Sequence, residues 1–149
     1  MPAASILIKP ASSNCNIDCK YCFYKCLSSH REKYQMGFMK EDTLELLIQH
    51  AIEYAEGSVV FAFQGGEPML AGMDFFKKAL ELQAFYGKQK PGLRIENTLQ
   101  TNGILINEEW ADFFKEHHFL IGISLDGPRK LHDEARVDTL GYPTFEKVM

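Results

Sequence analysis

Four cysteines near the start of the chain are the residues best suited to chemistry. Cys15, Cys19, Cys22 and Cys26 lie within twelve residues and are the only cysteines of the 149 residues. Such close thiols can hold zinc, an iron–sulfur cluster or disulfides. Disulfides here would close only very short loops and contribute little stability. Zinc sites usually pair two short-spaced couples of ligands across a longer loop, and the sequence has no second couple. Iron–sulfur chemistry is therefore favoured, and a Cys₄ zinc site stays open as the alternative.

The first three cysteines form a C-x₃-C-x₂-C motif with an aromatic residue directly before the third. Three thiolates on one short loop can hold three irons of a [4Fe–4S] cube and leave the fourth iron open. An open position distinguishes a catalytic metal site from a structural one. We therefore expect Cys15, Cys19 and Cys22 to be the ligands. Cys26 is expected to be a spare, partly buried thiol, and Tyr21 is expected to contact a cofactor.

The elements that must position this loop alternate between strands and helices. The β-rich runs predict strands at residues 5–9, 58–63, 93–100 and 119–125. Apolar stripes at helical spacing predict helices over 41–56 and 74–86, and Asn107 is expected to cap a third helix. A fourth helix is expected to begin near the end of the chain. This order predicts an α/β fold with a parallel sheet, either an open doubly wound sheet or a (β/α) barrel.

A polar segment bearing glycine or cysteine follows each predicted strand. The cysteine loop follows the first strand, and the later strands are followed by "QGGEP" (64–68), "QTNG" (100–103) and "SLDGP" (124–128). In parallel α/β folds, ligands bind at the carboxyl ends of the strands. All four segments are therefore expected on one rim.

The cysteine loop after a first strand resembles the signature of the radical S-adenosylmethionine (SAM) enzymes. "GGEP" resembles the SAM-binding segment of that family, which implies cofactor contacts by Gly65, Gly66 and Glu67. Ser124 resembles a position that contacts polar groups of SAM, and Arg136 one that bonds the SAM carboxylate or ribose. The resemblance implies a [4Fe–4S] cluster and SAM as cofactors. It also implies a partial (β/α) barrel of the radical SAM type, with about four β/α units present.

Longer segments resemble the anaerobic sulfatase-maturating enzymes. They are "LIKPASSNCNIDCKYCFY", "FAFQGGEPMLAG", "LQTNG" and "ISLDGP", and the resemblance spans residues 6–148. It implies that a cysteine or serine of a sulfatase is oxidised to Cα-formylglycine, after a 5′-deoxyadenosyl radical abstracts a Cβ hydrogen. It further implies a sulfatase polypeptide as substrate and an electron donor such as flavodoxin or ferredoxin. Tyr24 and Gln64 are candidate substrate contacts.

Two other functions remain open from the sequence. One is a radical SAM enzyme that modifies a different peptide by thioether or carbon–carbon crosslinks. The other is a non-catalytic zinc or iron–sulfur module that binds a partner. Both share the cysteine loop, so the loop alone does not separate them from a sulfatase maturase.

The length and net charge of the chain limit which partners, location and domain organisation are expected. The net charge of −4 gives no support to nucleic acid or an anionic membrane as a partner. No apolar run approaches the ~18 residues of a membrane span, and the N-terminus is a poor signal peptide, so a cytoplasmic location is expected.

An eight-unit barrel takes roughly 250 residues. Residues 1–149 are therefore expected to be the N-terminal part of a radical SAM core domain. The C-terminal remainder, the auxiliary-cluster domain and the acidic general base are expected to be absent, and no catalytic residue is assigned.

Several other polar residues are expected to be structural. Asn102 and Asp126 are expected to be turn residues, since each stands beside a glycine at the end of a predicted strand. His117 and His118 are expected at a helix end, where imidazoles interact favourably with the helix dipole. The phenylalanine pairs at 75–76 and 113–114 are expected to lie in the core.

Overall fold

A four-stranded parallel sheet carries the fold in a computed structural model that describes residues 3–33 and 35–149. The strands are β1 (Ala4–Ile8), β2 (Ser58–Phe63), β3 (Arg94–Thr101) and β4 (Leu120–Ile123). Their order in the sheet is β1-β2-β3-β4, and each neighbouring pair is parallel. The expected α/β fold with a parallel sheet is therefore confirmed.

Within the described residues, six α-helices and one 3₁₀ turn connect and flank the strands. The α-helices are α1 (Phe23–Ser29), α2 (Glu41–Tyr54), α3 (Met73–Gly87), α4 (Glu108–Glu116), α5 (Arg129–Ala135) and α6 (Phe145–Val148). The 3₁₀ turn covers Pro68–Ala71. The sequence did not predict α1, α5 or the 3₁₀ turn. Both α1 and α5 have only seven residues and begin without a side-chain cap, so the local signals for a helix start are missing.

The strands alternate between a helix-covered face and an open face. In β2, Val59, Phe61 and Phe63 are fully buried, whereas the residues between them are only partly buried. The uniformly apolar sequence suggested burial on both faces, but the helices cover only one. The predicted strand 119–125 is shorter in the structure, and Leu120 is 72% exposed, because β4 is an edge strand with one neighbour.

An aromatic cluster fills the space between the sheet and helices α3 and α4. Phe76 lies 5.1 Å from Phe63 and 5.5 Å from Trp110 between ring centroids. Phe113 and Phe114 pack against the same cluster. The expected core role of the phenylalanine pairs is confirmed, and this packing anchors β2 through Phe63.

Helix α4 begins and ends as the sequence predicted. The Asn107 Oδ1 accepts a hydrogen bond of 2.9 Å from the backbone N–H of Trp110, and His117 is the C-cap. Glu108 and Glu109 stand in the first turn, where negative charge favours the helix dipole. Within the part of the chain that the structure describes, no helix combines the length and the apolar character needed to cross a membrane.

Candidate functional site

A cavity of about 310 Å³ lies where the loops after the strands converge. It is lined by every residue that the sequence assigned to the site except Glu67. These residues are Cys15, Cys19, Tyr21, Cys22, Tyr24, Gln64, Gly65, Gly66, Ser124 and Arg136. The convergence of the four segments on one rim is thereby observed in three dimensions.

The cysteine loop is held against the segment that follows α5. The backbone N–H of Asp18 donates to the carbonyl of Val137 at 2.7 Å, and that of Lys20 donates to the carbonyl of Ala135 at 2.9 Å. These bonds flank Cys19 on one side and Arg136 on the other. The two residues are therefore placed opposite each other, although they lie far apart in the sequence.

The thiols of Cys15, Cys19 and Cys22 are free and partly buried. Burial raises the pKa of Cys15 to about 11 and also raises the pKa of Cys19. Metal binding would therefore have to displace thiol protons. Among residues 3–33 and 35–149, no three His, Cys, Asp or Glu side chains are gathered closely enough to hold a metal ion as they stand.

By donor type and placement, these three thiols fit an iron–sulfur cluster, because they face one cavity with space beside them. Cys26 was expected to be partly buried, and this was wrong. It lies on α1, is exposed and does not line the cavity. It shares a separate surface pocket with Cys19 and Cys22 but not with Cys15, so the four cysteines do not surround one cavity as a closed zinc cage requires.

The glycines of "GGEP" have a backbone that other residues rarely adopt. Gly66 has φ of 60°, and a Cβ added there would lie 2.2 Å from the carbonyl oxygen of Asn14. A Cβ on Gly65 would meet the side chain of Lys9 at 2.5 Å. The next residue, Glu67, donates its backbone N–H to the same Asn14 carbonyl at 2.7 Å. Glycine therefore allows this segment to pack directly against the cysteine loop.

The carboxylate of Glu67 joins two of the rim segments. Its Oε1 accepts hydrogen bonds from the N–H of Met69 at 3.0 Å and the hydroxyl of Thr101 at 2.9 Å. Its Oε2 accepts one from the N–H of Asn102 at 2.9 Å. Burial raises the pKa of Glu67, and these donors act in the opposite direction. Since Glu67 is 1% exposed and does not line the cavity, a direct contact with SAM stays a prediction.

Asn102 has a second set of contacts besides its turn. Its Oδ1 accepts from the N–H of Ile104 at 3.0 Å, which confirms the expected turn. Its Nδ2 donates to Asn16 Oδ1 at 2.7 Å and lies 3.7 Å from Cys15 Sγ. Sequence reasoning missed this contact with a candidate ligand. The position of "QTNG" after a strand was the available signal.

Ser124 is oriented by a neighbour that the sequence did not single out. Gln100 Nε2 donates to Ser124 Oγ at 2.9 Å. The side chain of Gln100 crosses β4 at Gly122, where an added Cβ would lie 2.3 Å from Gln100 Oε1. Gln100 also lines the cavity. The first residue of "QTNG" therefore positions the first residue of "SLDGP".

The candidate substrate contacts lie at the β1 and β2 ends of the cavity. Lys9 Nζ stands 4.5 Å from the centre of the Tyr24 ring, a cation–π distance. Burial lowers the pKa of Lys9, and the charge of Arg31 adds to this effect. The N–H of Gln64 donates to the carbonyl of Ile8 at 2.9 Å, which continues the sheet ladder.

Asp126 belongs to the site, although the sequence suggested only a turn. Its Oδ2 lies 3.1 Å from Arg136 Nε and accepts a hydrogen bond from the Tyr21 hydroxyl. Burial alone would raise the pKa of Asp126, but the hydrogen bond from Tyr21 and the nearby positive charge of Arg136 outweigh it and leave the pKa lowered. Burial of the hydroxyl and the bond to Asp126 raise the pKa of Tyr21 to about 12.

Comparison with known proteins yields one family. Residues 10–148 match the model of the Radical SAM superfamily. The chain is 49% identical over 148 residues to a cysteine-type anaerobic sulfatase-maturating enzyme of Clostridium perfringens (strain 13 / Type A). It is 38% identical over 145 residues to a serine-type anaerobic sulfatase-maturating enzyme of Bacteroides thetaiotaomicron.

A solved structure of native anSMEcpe with bound AdoMet and Cp18Cys peptide matches 99% of this chain with a TM-score of 0.89 and 47% identity. The match confirms the expected partial barrel. The alignments cover 99% and 97% of this chain but 40% and 34% of the Clostridium and Bacteroides relatives, and 38% of the solved chain. The chain therefore spans about 40% or less of the length of these proteins.

Proposed function

Because this chain belongs to the radical SAM superfamily, we propose that its cavity holds a [4Fe–4S] cluster on Cys15, Cys19 and Cys22 and binds SAM beside it. One observation carries the proposal. The three thiols share a single cavity with Gly65 and Gly66, in a space of about 310 Å³. When bound, the cluster and SAM supply radical chemistry that removes a hydrogen atom from a substrate.

In the proposed function, the residues of this chain bind SAM and orient it beside the cluster. Gly65 and Gly66, which have no side chains, would let their backbone groups approach the amino group of bound SAM. Ser124, held by Gln100, offers its hydroxyl to a polar group of SAM. Tyr21 and Arg136 line the opposite part of the cavity. The buried Glu67 holds the second and third rim segments together.

We further propose that the substrate is a sulfatase polypeptide, whose cysteine or serine is oxidised to Cα-formylglycine. The support is similarity to maturating enzymes of both the cysteine and the serine type. Tyr24 and Gln64 would contact the peptide, since they face the same cavity. An electron carrier such as flavodoxin or ferredoxin would reduce the cluster, and the acidic general base would be supplied from outside these 149 residues.

Anaerobic reconstitution with iron and sulfide tests the cofactor proposal. We expect about four irons per chain and an EPR signal of the reduced protein that changes when SAM is added. Cys26→Ser is the matched control and should bind as much iron as the wild type. Cys22→Ser should bind less and lose the response to SAM. Stoichiometric zinc with no response to SAM would refute the proposal.

A peptide assay tests the substrate class separately. The reconstituted protein, in a form that includes the segments expected to supply the general base, is incubated with SAM, a reductant and a peptide that carries the sulfatase motif. The expected result is the mass loss of formylglycine formation, and a peptide with alanine at the target position serves as control. A thioether or carbon–carbon crosslink in place of formylglycine would assign the chain to another peptide modification.

A further inference from the structure

The side chain of Arg136 points at a cysteine sulfur rather than into open space. Its Nη1 lies 3.7 Å from Cys19 Sγ, a hydrogen-bond distance for sulfur, and the side chain is only 14% exposed. The guanidinium carbon stands 5.4 Å from the centre of the Tyr21 ring. We propose that Arg136 is a positioning residue that donates to the Cys19 ligand and raises the reduction potential of the cluster. The inference rests on the proposed function, since Cys19 must be a cluster ligand.

The carboxylate of Asp126 contacts the guanidinium of Arg136 at its Nε atom. Arg136 Nε lies 3.1 Å from Asp126 Oδ2. The Nε–H direction does not meet hydrogen-bond geometry, so this contact is an ion pair. Asp126 also accepts from the Tyr21 hydroxyl. Asp126 therefore holds the Nε side of the guanidinium, and Nη1 is left to donate to the Cys19 sulfur.

A buried histidine holds the backbones of both charged residues. His132 is fully buried, and its Nδ1 accepts from the N–H of Asp126 at 3.4 Å. Its Nε2 lies 3.0 Å from the hydroxyl of Thr144, which donates to the carbonyl of Arg136 at 2.8 Å. The distance between Asp126 and Arg136 is therefore set by the fold and does not depend on a bound ligand.

The cysteine loop is aligned with this pair by its own backbone. The bonds from Asp18 to Val137 and from Lys20 to Ala135 place Cys19 directly across from Arg136. The contact with Asp126 and the Tyr21 ring then hold the guanidinium beside the sulfur. The donor is consequently in position before any cluster or SAM is present.

A donor at a ligand sulfur affects the cluster through charge. A reduced cluster carries one more negative charge than an oxidised one, and part of that charge resides on the ligand sulfurs. A cationic N–H donor stabilises the reduced form more than the oxidised form and therefore raises the reduction potential. Removing the donor should make the cluster harder to reduce.

The test is an EPR-monitored redox titration of the reconstituted protein without SAM. Arg136→Gln is expected to have a more negative midpoint potential than the wild type, and Arg136→Lys an intermediate one, because lysine keeps the charge but not the planar fork. The control is Arg129→Gln. It removes the same charge from an exposed residue that pairs with Glu146, and it should leave the potential unchanged.

The outcomes separate this inference from the proposed function. A wild-type protein that assembles no cluster overturns both. A normal cluster whose SAM-free potential is the same in Arg136→Gln and the wild type overturns the inference alone. The inference is also overturned if Arg136→Gln binds SAM more weakly but keeps the wild-type reduction potential without SAM. That result would mean that Arg136 serves only to bind SAM. If Arg136→Gln assembles too little iron to titrate, the SAM-free midpoint potentials of Arg136→Lys and Arg129→Lys are compared instead. A potential that is lowered in Arg136→Lys alone supports the inference, and equal potentials overturn it.

Discussion

Replacement of Glu67 by glutamine is expected to lower the free energy of unfolding by about 1–3 kcal/mol. The substitution keeps the shape of the side chain but turns one acceptor oxygen into an NH₂ donor. The hydrogen bonds to each oxygen indicate which of the two acceptors can be replaced at the smaller loss of stability. Oε1 accepts from Met69 and Thr101, whereas Oε2 accepts only from Asn102. The glutamine should therefore place its NH₂ towards Asn102.

In that orientation one buried bond is lost. The backbone N–H of Asn102 then faces another donor and has no acceptor. Asn102 is 6% exposed and Glu67 1%, so water does not readily replace the bond. An unsatisfied buried donor costs about 1–3 kcal/mol. The opposite orientation would instead leave the N–H of Met69 without an acceptor and would also force the Thr101 hydroxyl to turn away from its present bond.

The assay is equilibrium unfolding in urea, with the midpoint and slope compared between variants. Glu41→Gln is the matched control, since Glu41 is exposed and pairs only with Lys78 at the surface. It should change stability by no more than about 0.5 kcal/mol. Hydrogen exchange adds a local measurement, because the amide of Asn102 should exchange faster in Glu67→Gln. Equal stabilities of the two variants, or unchanged exchange at Asn102, would refute the reasoning.

Three further changes have effects that follow from single contacts. Gly66→Ala should destabilise the fold by at least about 2 kcal/mol, as measured by urea unfolding, because alanine disfavours the left-handed backbone at this position and its Cβ would lie only 2.2 Å from the Asn14 carbonyl oxygen. Asn107→Ala should cost about 1 kcal/mol by removing the N-cap acceptor of α4, measured by thermal unfolding. The bond from Lys147 lowers the pKa of Asp138, so Asp138 stabilises the fold above its ordinary pKa of 3.8 and loses this effect as the pH falls through its lower folded value. Asp138→Asn should therefore weaken the protein at pH 7 and much less at low pH, measured by unfolding at each pH.

Each of these changes has a matched comparison. Gly57 also has a left-handed backbone but no atom within 4 Å of an added Cβ, so Gly57→Ala isolates the strain from the overlap. Equal losses at Gly57 and Gly66 would contradict the close approach of the two loops. Asn107→Asp keeps a capping acceptor and should remain near wild type. A stability difference for Asp138→Asn that is the same at pH 7 and at low pH would exclude its ionised carboxylate as the cause.

Much of the fold was predictable because its signals are local. The apolar run of β2 and the Asn107 cap each depend on neighbouring residues, and both lie where the sequence predicted. Helices α1 and α5 were missed because they lack caps and have only seven residues. Each has a single buried residue, Ser28 in α1 and His132 in α5, so neither carries the apolar stripe by which a sequence reveals a helix.

The candidate site divides in the same way. The spacing of Cys15, Cys19 and Cys22 and the two glycines of "GGEP" are properties of short segments, so the sequence by itself determined them together with the order of the four strands. The contact of Arg136 with Cys19 spans 117 residues. The pairing of Asp126 with Arg136, the inward direction of Glu67 and the outward position of Cys26 were likewise decided only by tertiary structure. The physical reason is that the spacing of residues within one loop determines which side chains that loop carries. Contacts between loops that are distant in the sequence depend on how the whole chain packs.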